Sequence, residues 1–231
     1  MTEQQKPVLA VVGPTASGKS SIAAALAREM GAVILSADSM LVYRGMDIGT
    51  AKPPPEEIAE FRMGGVDVVT PAEEFSAGAW LRAASAWAAA IPEDTPIVIA
   101  GGTGLYFSAL LRGLDRAWAK PPPAYPVLKV DRDVLRGRIA ERLDAMYAAG
   151  LDEERRRLRE TYPVWSRTAS LAIGYREGDD RAKVYVRTCQ LAKRQDTWFR
   201  HQATAIYVEP TVDAVRECWR KHGPWKVALD G

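Results

Sequence analysis

The chain has 231 residues, 47% hydrophobic and 26% charged, with a formal net charge of +2; that is a soluble globule with a real core, and the mild charge neither demands nor excludes nucleic acid. Two cysteines, Cys189 and Cys218, are too few for a disulfide framework and sit in no metal-type spacing, so reduced thiols are expected. The polar start, Met1 to Lys6, argues against a secretory signal, and the longest small-apolar stretch, Ala79 to Ile91, contains Arg82 and is too short to span a bilayer, so a cytoplasmic location without membrane contact is expected.

The first apolar run, Val8 to Val12, reads as a strand. It feeds Gly13-Pro14-Thr15-Ala16-Ser17-Gly18-Lys19-Ser20, the G-x-x-x-x-G-K-[ST] pattern between a strand and a helix. The glycines let the backbone curl so that N–H groups face an anion, and the helix start adds unpaired donors and a positive dipole end. Lys19 supplies a point charge to the terminal phosphate, and the Ser20 hydroxyl can hold Mg²⁺. The loop therefore binds a diphosphate or triphosphate. The helix should run to about Met30, with Ile22, Leu26 and Met30 on one face and Gly31 as its stop. Ala32 to Leu35 is a short buried strand ending at Ser36-Ala37-Asp38-Ser39. Ligands gather beyond the carboxyl ends of such strands, which puts Asp38 on the rim of the phosphate loop.

Tyr43 to Pro55 is rich in turn formers, too irregular for a core element, and is expected to lie over that rim. Val66 to Val69 is a weak strand. Ser76 caps a helix with the stripe Trp80, Ala84, Trp87 and Ile91, whose tryptophans read as core. Pro96 to Ala100 is a parallel strand covered on both faces, followed by Gly101-Gly102-Thr103-Gly104, a turn suited to close backbone approach to a ligand. A helix from about Leu105 ends near Gly113. A proline-rich connector then reaches a strand at Tyr125 to Val130. Asp131 caps a helix with the stripe Leu135, Ile139, Leu143 and Met146, ended by Gly150. Asp152-Glu153-Glu154 opens the next helix, and its charge run reads as a solvated face. After the turn Ala172 to Glu177, a long helix carries Lys183, Arg187, Gln190 and Arg194 on one face, with Val184, Leu191 and Trp198 facing another way. Thr204 to Val208 is a closing strand, and a final helix starts at Val212. His201 and His222 are single and read as structural.

Three strand ends thus deliver a phosphate cradle, a carboxylate and a polar glycine turn. A phosphoryl transfer to water usually needs a second strand ending in a Mg²⁺-binding Asp, and Ile97 to Ala100 ends in Gly-Gly-Thr instead. A motor or switch NTPase is therefore disfavoured. An ATP-dependent small-molecule kinase with Asp38 as base remains open, as does an RNA-binding remnant without catalysis.

The phosphate loop, Ser36 to Met40, Val42 to Pro53, Phe75-Ser76-Ala77, Gly101 to Tyr106, Ile173 to Glu177 and Ala192 to Arg200 together resemble, in that order, the tRNA dimethylallyltransferase family. The resemblance covers Pro7 to Gly113 and about Val130 to Arg200. It implies one domain over 1–231, a P-loop NTPase-like three-layer α/β sandwich with a parallel central sheet and a reduced helical subdomain. It also implies a monomer that uses Mg²⁺, with dimethylallyl diphosphate in the phosphate loop and the anticodon stem-loop of tRNA as acceptor. Asp38 matches the family's general base for the adenosine N6. Thr15 and Arg176 match positions on the leaving diphosphate, beside Lys19, and Thr103 one near the base-binding site. Ser39, Met40 and Leu41 belong to the adenosine-side motif, with Leu41 where many members carry Gln. Lys183, Arg187 and Arg194 are candidates for RNA phosphates; the alternative is a solvated helix side. The family's long helical insert, with its Arg-Ile-x-Arg-Ala-Leu-Glu-Val motif, is reduced here to the connector near 113–125. That leaves a free adenine nucleotide, as in the related cytokinin-forming enzymes, as the alternative acceptor.

Overall fold

The computed structural model describes residues 6–112, 124–223 and 225–227. The sheet is organised around β1 (Lys6–Val12), whose Val11 and Val12 are wholly inaccessible to solvent. Its partners are β2 (Val33–Ser36), β3 (Ile97–Gly101), β4 (Tyr125–Leu128) and β5 (Ala205–Val208), in the parallel order β2-β3-β1-β4-β5. A sixth strand, β6 (Trp225–Val227), which the sequence reading did not include, runs antiparallel along the start of β1. Register decides where the site falls. Ser36 lies beside Ala100, and Ala100 beside Val11, so the chain leaves β2, β3 and β1 at one level. Asp38, Thr103 and the phosphate loop follow those ends.

Alternation along β1 sorts the layers. Leu9 and Val11 point into a cluster built with α1 (Lys19–Met30) and α8 (Val212–His222). Val8, Ala10 and Val12 point into the main core, with Trp80 and Ala84 of α3 (Ala77–Ala89), Phe107 of α4 (Gly104–Arg112) and Phe199 of α7 (Arg181–Arg200). Each such large side chain contributes about 1.5–3 kcal/mol by leaving water. A third cluster joins Leu135, Ile139 and Leu143 of α5 (Arg132–Ala148) to Val184 and Ala192 of α7 and to Ala16 of the phosphate loop. The helical layer of α5, α6 (Leu151–Thr161) and α7 is thereby anchored beside the carboxyl ends of the strands. Capping follows the sequence: the Ser76 hydroxyl accepts from the Ala79 N–H at 3.1 Å, Asp131 accepts from the Asp133 N–H at 2.8 Å, and Gly31 ends α1 in a left-handed turn.

Three expectations are corrected. Val66 to Val69 is not a strand: Gly65 and Asp67 sit at φ +74° and +52°, which breaks the extended run, and only Val69 pairs, singly, with Tyr43. A short helix, α2 (Pro55–Glu60), stands where no element was expected, with Pro at its start and Glu56 and Glu57 in its first turn. Tyr43 and Met46 are fully buried and belong to the main core, so the segment is a core element at its start, while Thr50 to Pro54 line the phosphate-loop cavity and so lie at the rim as expected. The proline connector and the expected helix stop at Gly113 lie outside the described residues.

Candidate active site

The phosphate loop curls as its composition requires. Gly18 sits at φ +90° and Ala16 at φ +63°. Pro14 turns its carbonyl inward, accepting from the Ser17 N–H at 3.2 Å and from Lys19 Nζ at 3.4 Å. No side chain caps the start of α1, so the N–H donors of its first turn stay free for a ligand. Thr15, Ala16, Gly18, Lys19 and Ser20 line a cavity of about 480 Å³. Gly13, Pro14 and Ser17 are buried behind it; a Cβ on Gly13 would come within 3.0 Å of Ser17 Oγ and 3.2 Å of Leu128. Burial draws the Lys19 pKa down to about 8, Arg142 adds to the fall, and Asp38 opposes it.

Asp38 leaves β2 at the same level. Its Oδ1 accepts from the Met40 N–H at 2.9 Å, which fixes the carboxylate. Thr103 Oγ1 accepts from the Ser39 N–H at 3.0 Å and so ties the second glycine turn to the Asp38 loop. The glycines of that turn allow close protein packing, and Gly101 also lines the phosphate-loop cavity. A Cβ on Gly101 would stand 2.3 Å from the Ala37 carbonyl oxygen. One on Gly102 would stand 2.5 Å from Gln195 Nε2, and one on Gly104 2.3 Å from the Trp198 ring.

Two residues that the sequence reading did not assign to the site enter it. Arg142, one turn beyond Arg138 on α5, reaches the phosphate loop, where its Nη1 lies 3.4 Å from Thr15 Oγ1. It is a half-buried cation with no ion pair among the described residues, and burial lowers its pKa against the pull of Asp38. Gln195 Oε1 accepts the Thr15 N–H at 2.8 Å and pins α7 to the phosphate loop. The spacing of Arg138 and Arg142 beside the Leu135–Ile139–Leu143 stripe was the available signal for the first.

Behind the site, Glu177 organises two cations. It is buried, accepts from the Gly174 N–H at 2.8 Å, and takes Arg187 at 2.7 Å and Arg176 at 3.2 Å. Glu154, read from sequence as part of a solvated run, is also buried. Its carboxylate accepts from the N–H groups of Asp47, Ile48 and Gly49 at 2.9–3.2 Å and from the Tyr175 hydroxyl at 2.5 Å. Burial, with the charge and hydrogen bond of Glu154, holds that hydroxyl well above the usual phenol range. Lys52 closes the segment, donating to the Tyr43 carbonyl at 2.8 Å and pairing with Asp47 and Asp67.

A second cavity, of about 500 Å³, opens on the α7 side. Ser39, Met40, Thr103, Arg176, Arg187 and Arg194 are among its lining. Leu41 lines the phosphate-loop cavity instead. Val184 and Leu191 join Arg187 and Arg194 at the α7 cavity, so the apolar and basic faces of the helix are not separated there. Lys183 is exposed and lines neither cavity. Thr15, Asp38, Thr50 and Arg142 line both, and so form the wall between them.

A parallel α/β sheet with a phosphate loop, a carboxylate at the next strand end and half-buried cations between two cavities defines an enzyme of the P-loop class. A family profile described as isopentenyl transferase matches residues 6–64, and one described as IPP transferase matches 41–126 and 116–202. The tRNA dimethylallyltransferase of Stenotrophomonas maltophilia K279a is 35% identical, over 90% of this chain and 94% of its own length, and that of Geobacter metallireducens is 34% identical over the same shares. The tRNA isopentenylpyrophosphate transferase of Bacillus halodurans superposes with a TM-score of 0.81 at 26% identity, over 94% of this chain and 95% of that one. The chain belongs to the tRNA dimethylallyltransferase family, a group of prenyltransferases. The alignment to the Stenotrophomonas relative spans 298 positions, more than the 231 residues of this chain, so that relative carries residues with no counterpart here.

Proposed function

We propose that this protein transfers the dimethylallyl group of dimethylallyl diphosphate to N6 of an adenosine beside the tRNA anticodon and releases diphosphate. The observation that carries the reading is the shared wall: Asp38 and Arg142 face both cavities at once. The diphosphate occupies the phosphate-loop side, against Thr15, Lys19 and the uncapped start of α1. The adenine enters from the α7 side, past Ser39, Met40 and Thr103. The N6 lone pair is delocalised into the ring, so this nitrogen attacks poorly unless its proton is removed. As the bond from N6 to the allylic carbon forms, the carbon–oxygen bond to diphosphate breaks and Asp38 takes the N6 proton. The growing charge on the leaving group is met by Lys19 and Arg142 on the phosphate-loop side and, across the shared wall, by Arg176, which lines the α7 cavity.

Ser20, the second residue of α1, lines the phosphate-loop cavity. One hydroxyl beside an anionic substrate suits Mg²⁺, which keeps much of its water and takes substrate oxygens. Among the described residues no group of three His, Cys, Asp or Glu side chains could hold a metal, so the ion would be carried chiefly by the diphosphate. Its chemistry would be neutralisation of charge on the leaving group. Among the described residues no helix is long and apolar enough to cross a membrane. Work on tRNA is consistent with a cytoplasmic monomer, a single α/β unit with the family insert shortened to the connector.

The test is transfer of labelled dimethylallyl diphosphate, with Mg²⁺, to an anticodon stem-loop RNA and to AMP offered in parallel. Label on adenine N6 of the RNA is expected. Transfer to AMP alone would move the acceptor to a free nucleotide, and transfer to neither would overturn the reading.

A further inference from the structure

Glu154 lies deep in α6, away from the reacting groups, yet it touches both segments that close the cavities. The stripe Leu151, Glu154 and Leu158 is the buried face of α6, so a carboxylate sits where a hydrophobic side chain belongs. Such a group is tolerated only when its oxygens are fully used. Here they are: three consecutive N–H groups, from Asp47 to Gly49, converge on it from one side, and the Tyr175 hydroxyl from the other. The Gly49 N–H also donates to the Tyr175 hydroxyl at 3.1 Å. Gly49 packs flush on that ring; a Cβ there would stand 2.5 Å from it. Thr50, the next residue, is part of the wall shared by the two cavities. Arg176, the residue after Tyr175, reaches the α7 cavity.

We infer that Glu154 is a positioning residue for the transfer reaction, setting the separation between the Thr50 wall and the Arg176 side chain through its bonds to the 47–49 backbone and to Tyr175. The inference rests on the proposed reaction, because Arg176, which lines the α7 cavity and not the phosphate-loop cavity, matters here as a cation that reaches the leaving diphosphate across the shared wall. Displacing one such group by a fraction of an ångström is enough to change rates by an order of magnitude or more. A residue that merely supported the fold would lower the amount of active protein and nothing else.

The experiment compares Glu154→Gln and Tyr175→Phe with the unaltered enzyme, measuring kcat and KM separately for dimethylallyl diphosphate and for stem-loop RNA. Glu154→Gln keeps the volume but turns an amide N–H₂ toward groups that are themselves donors. Expected is a KM for dimethylallyl diphosphate raised about tenfold, with the KM for RNA within about twofold. Tyr175→Phe removes one bond of the set and should raise the same KM about threefold. The decisive readout is coupling: in an Arg176→Ala background, either substitution should lose most of its effect on that KM. If either variant lowers only kcat, or if its effect is fully additive with Arg176→Ala, Glu154 is a structural residue and the inference is wrong. If Glu154→Gln does not fold, Tyr175→Phe decides, and kinetics identical to the unaltered enzyme would overturn the inference. Absence of transfer by the unaltered enzyme would instead refute the reaction itself, so the two failures are distinguishable.

Discussion

Two irregular loops of this protein are built around negative charge, and they meet it in opposite ways. The phosphate loop leaves the start of α1 uncapped, turns Lys19 toward it and opens on a cavity. The 47–49 segment turns three N–H groups onto a carboxylate that the chain itself supplies. The first arrangement holds half-buried cations, Lys19 and Arg142, whose hydrogen bonds go to a carbonyl and a hydroxyl and which an incoming anion would neutralise. The second is satisfied already. A charge site held ready for substrate sacrifices stability for affinity, whereas a filled one holds the scaffold that the first depends on.

The comparison is sharpest where activity and stability separate. Asp38→Asn keeps an Oδ1 to accept the Met40 N–H, so the fold and substrate binding should persist, while kcat should fall about a thousandfold in the transfer assay. Glu154→Ala should do the reverse to the balance. It strips partners from buried N–H groups and from the Tyr175 hydroxyl, and should cost about 3 kcal/mol or more in a denaturant titration. Equal stability of that variant and the unaltered chain would break the contrast.

A pH series tests the open loop. Lys19 titrates near 8 in the folded chain, below its ordinary value of 10.5. Between those values the unfolded chain binds more protons at this site, so the site's contribution to stability rises with pH across the window. Affinity for dimethylallyl diphosphate moves the other way. It should weaken toward about tenfold per pH unit above 8, measured by calorimetry, and Lys19→Met should flatten the profile. Weakest of all should be Lys183→Ala: this exposed side chain lines neither cavity, and the KM for RNA should stay within about twofold. A tenfold rise would return Lys183 to the acceptor side.

The sequence made the phosphate-loop side readable because its chemistry is local. The spacing of Gly13, Gly18, Lys19 and Ser20 specifies a turn and a donor set without reference to the rest of the chain. Asp38 was legible through one topological rule, since a buried strand end in a parallel sheet faces the ligand rim. The 43–52 segment was not. Tyr43 and Met46 are buried in a core cluster that also holds Leu151 and Leu158 of α6 and Tyr175, and nothing in a run of turn formers announces those distant partners. Glu154 misled in the same way: flanking acids and arginines made a surface pattern, while the register Leu151–Glu154–Leu158 alone carried the truth. The second glycine turn was legible only in part. Its glycines serve Ala37, Gln195 and Trp198, contacts fixed by tertiary structure that sequence spacing does not encode.

The central claim is that one carboxylate separates a bound allylic diphosphate from an entering adenine. A crystal structure with a thio-substituted, unreactive analogue of dimethylallyl diphosphate tests it most directly. The account predicts diphosphate density against Lys19 and Arg142, with the allylic carbon pointing across the wall toward the α7 cavity and Asp38 beside it. An analogue lodged elsewhere, or a carbon chain directed away from Asp38, would contradict it.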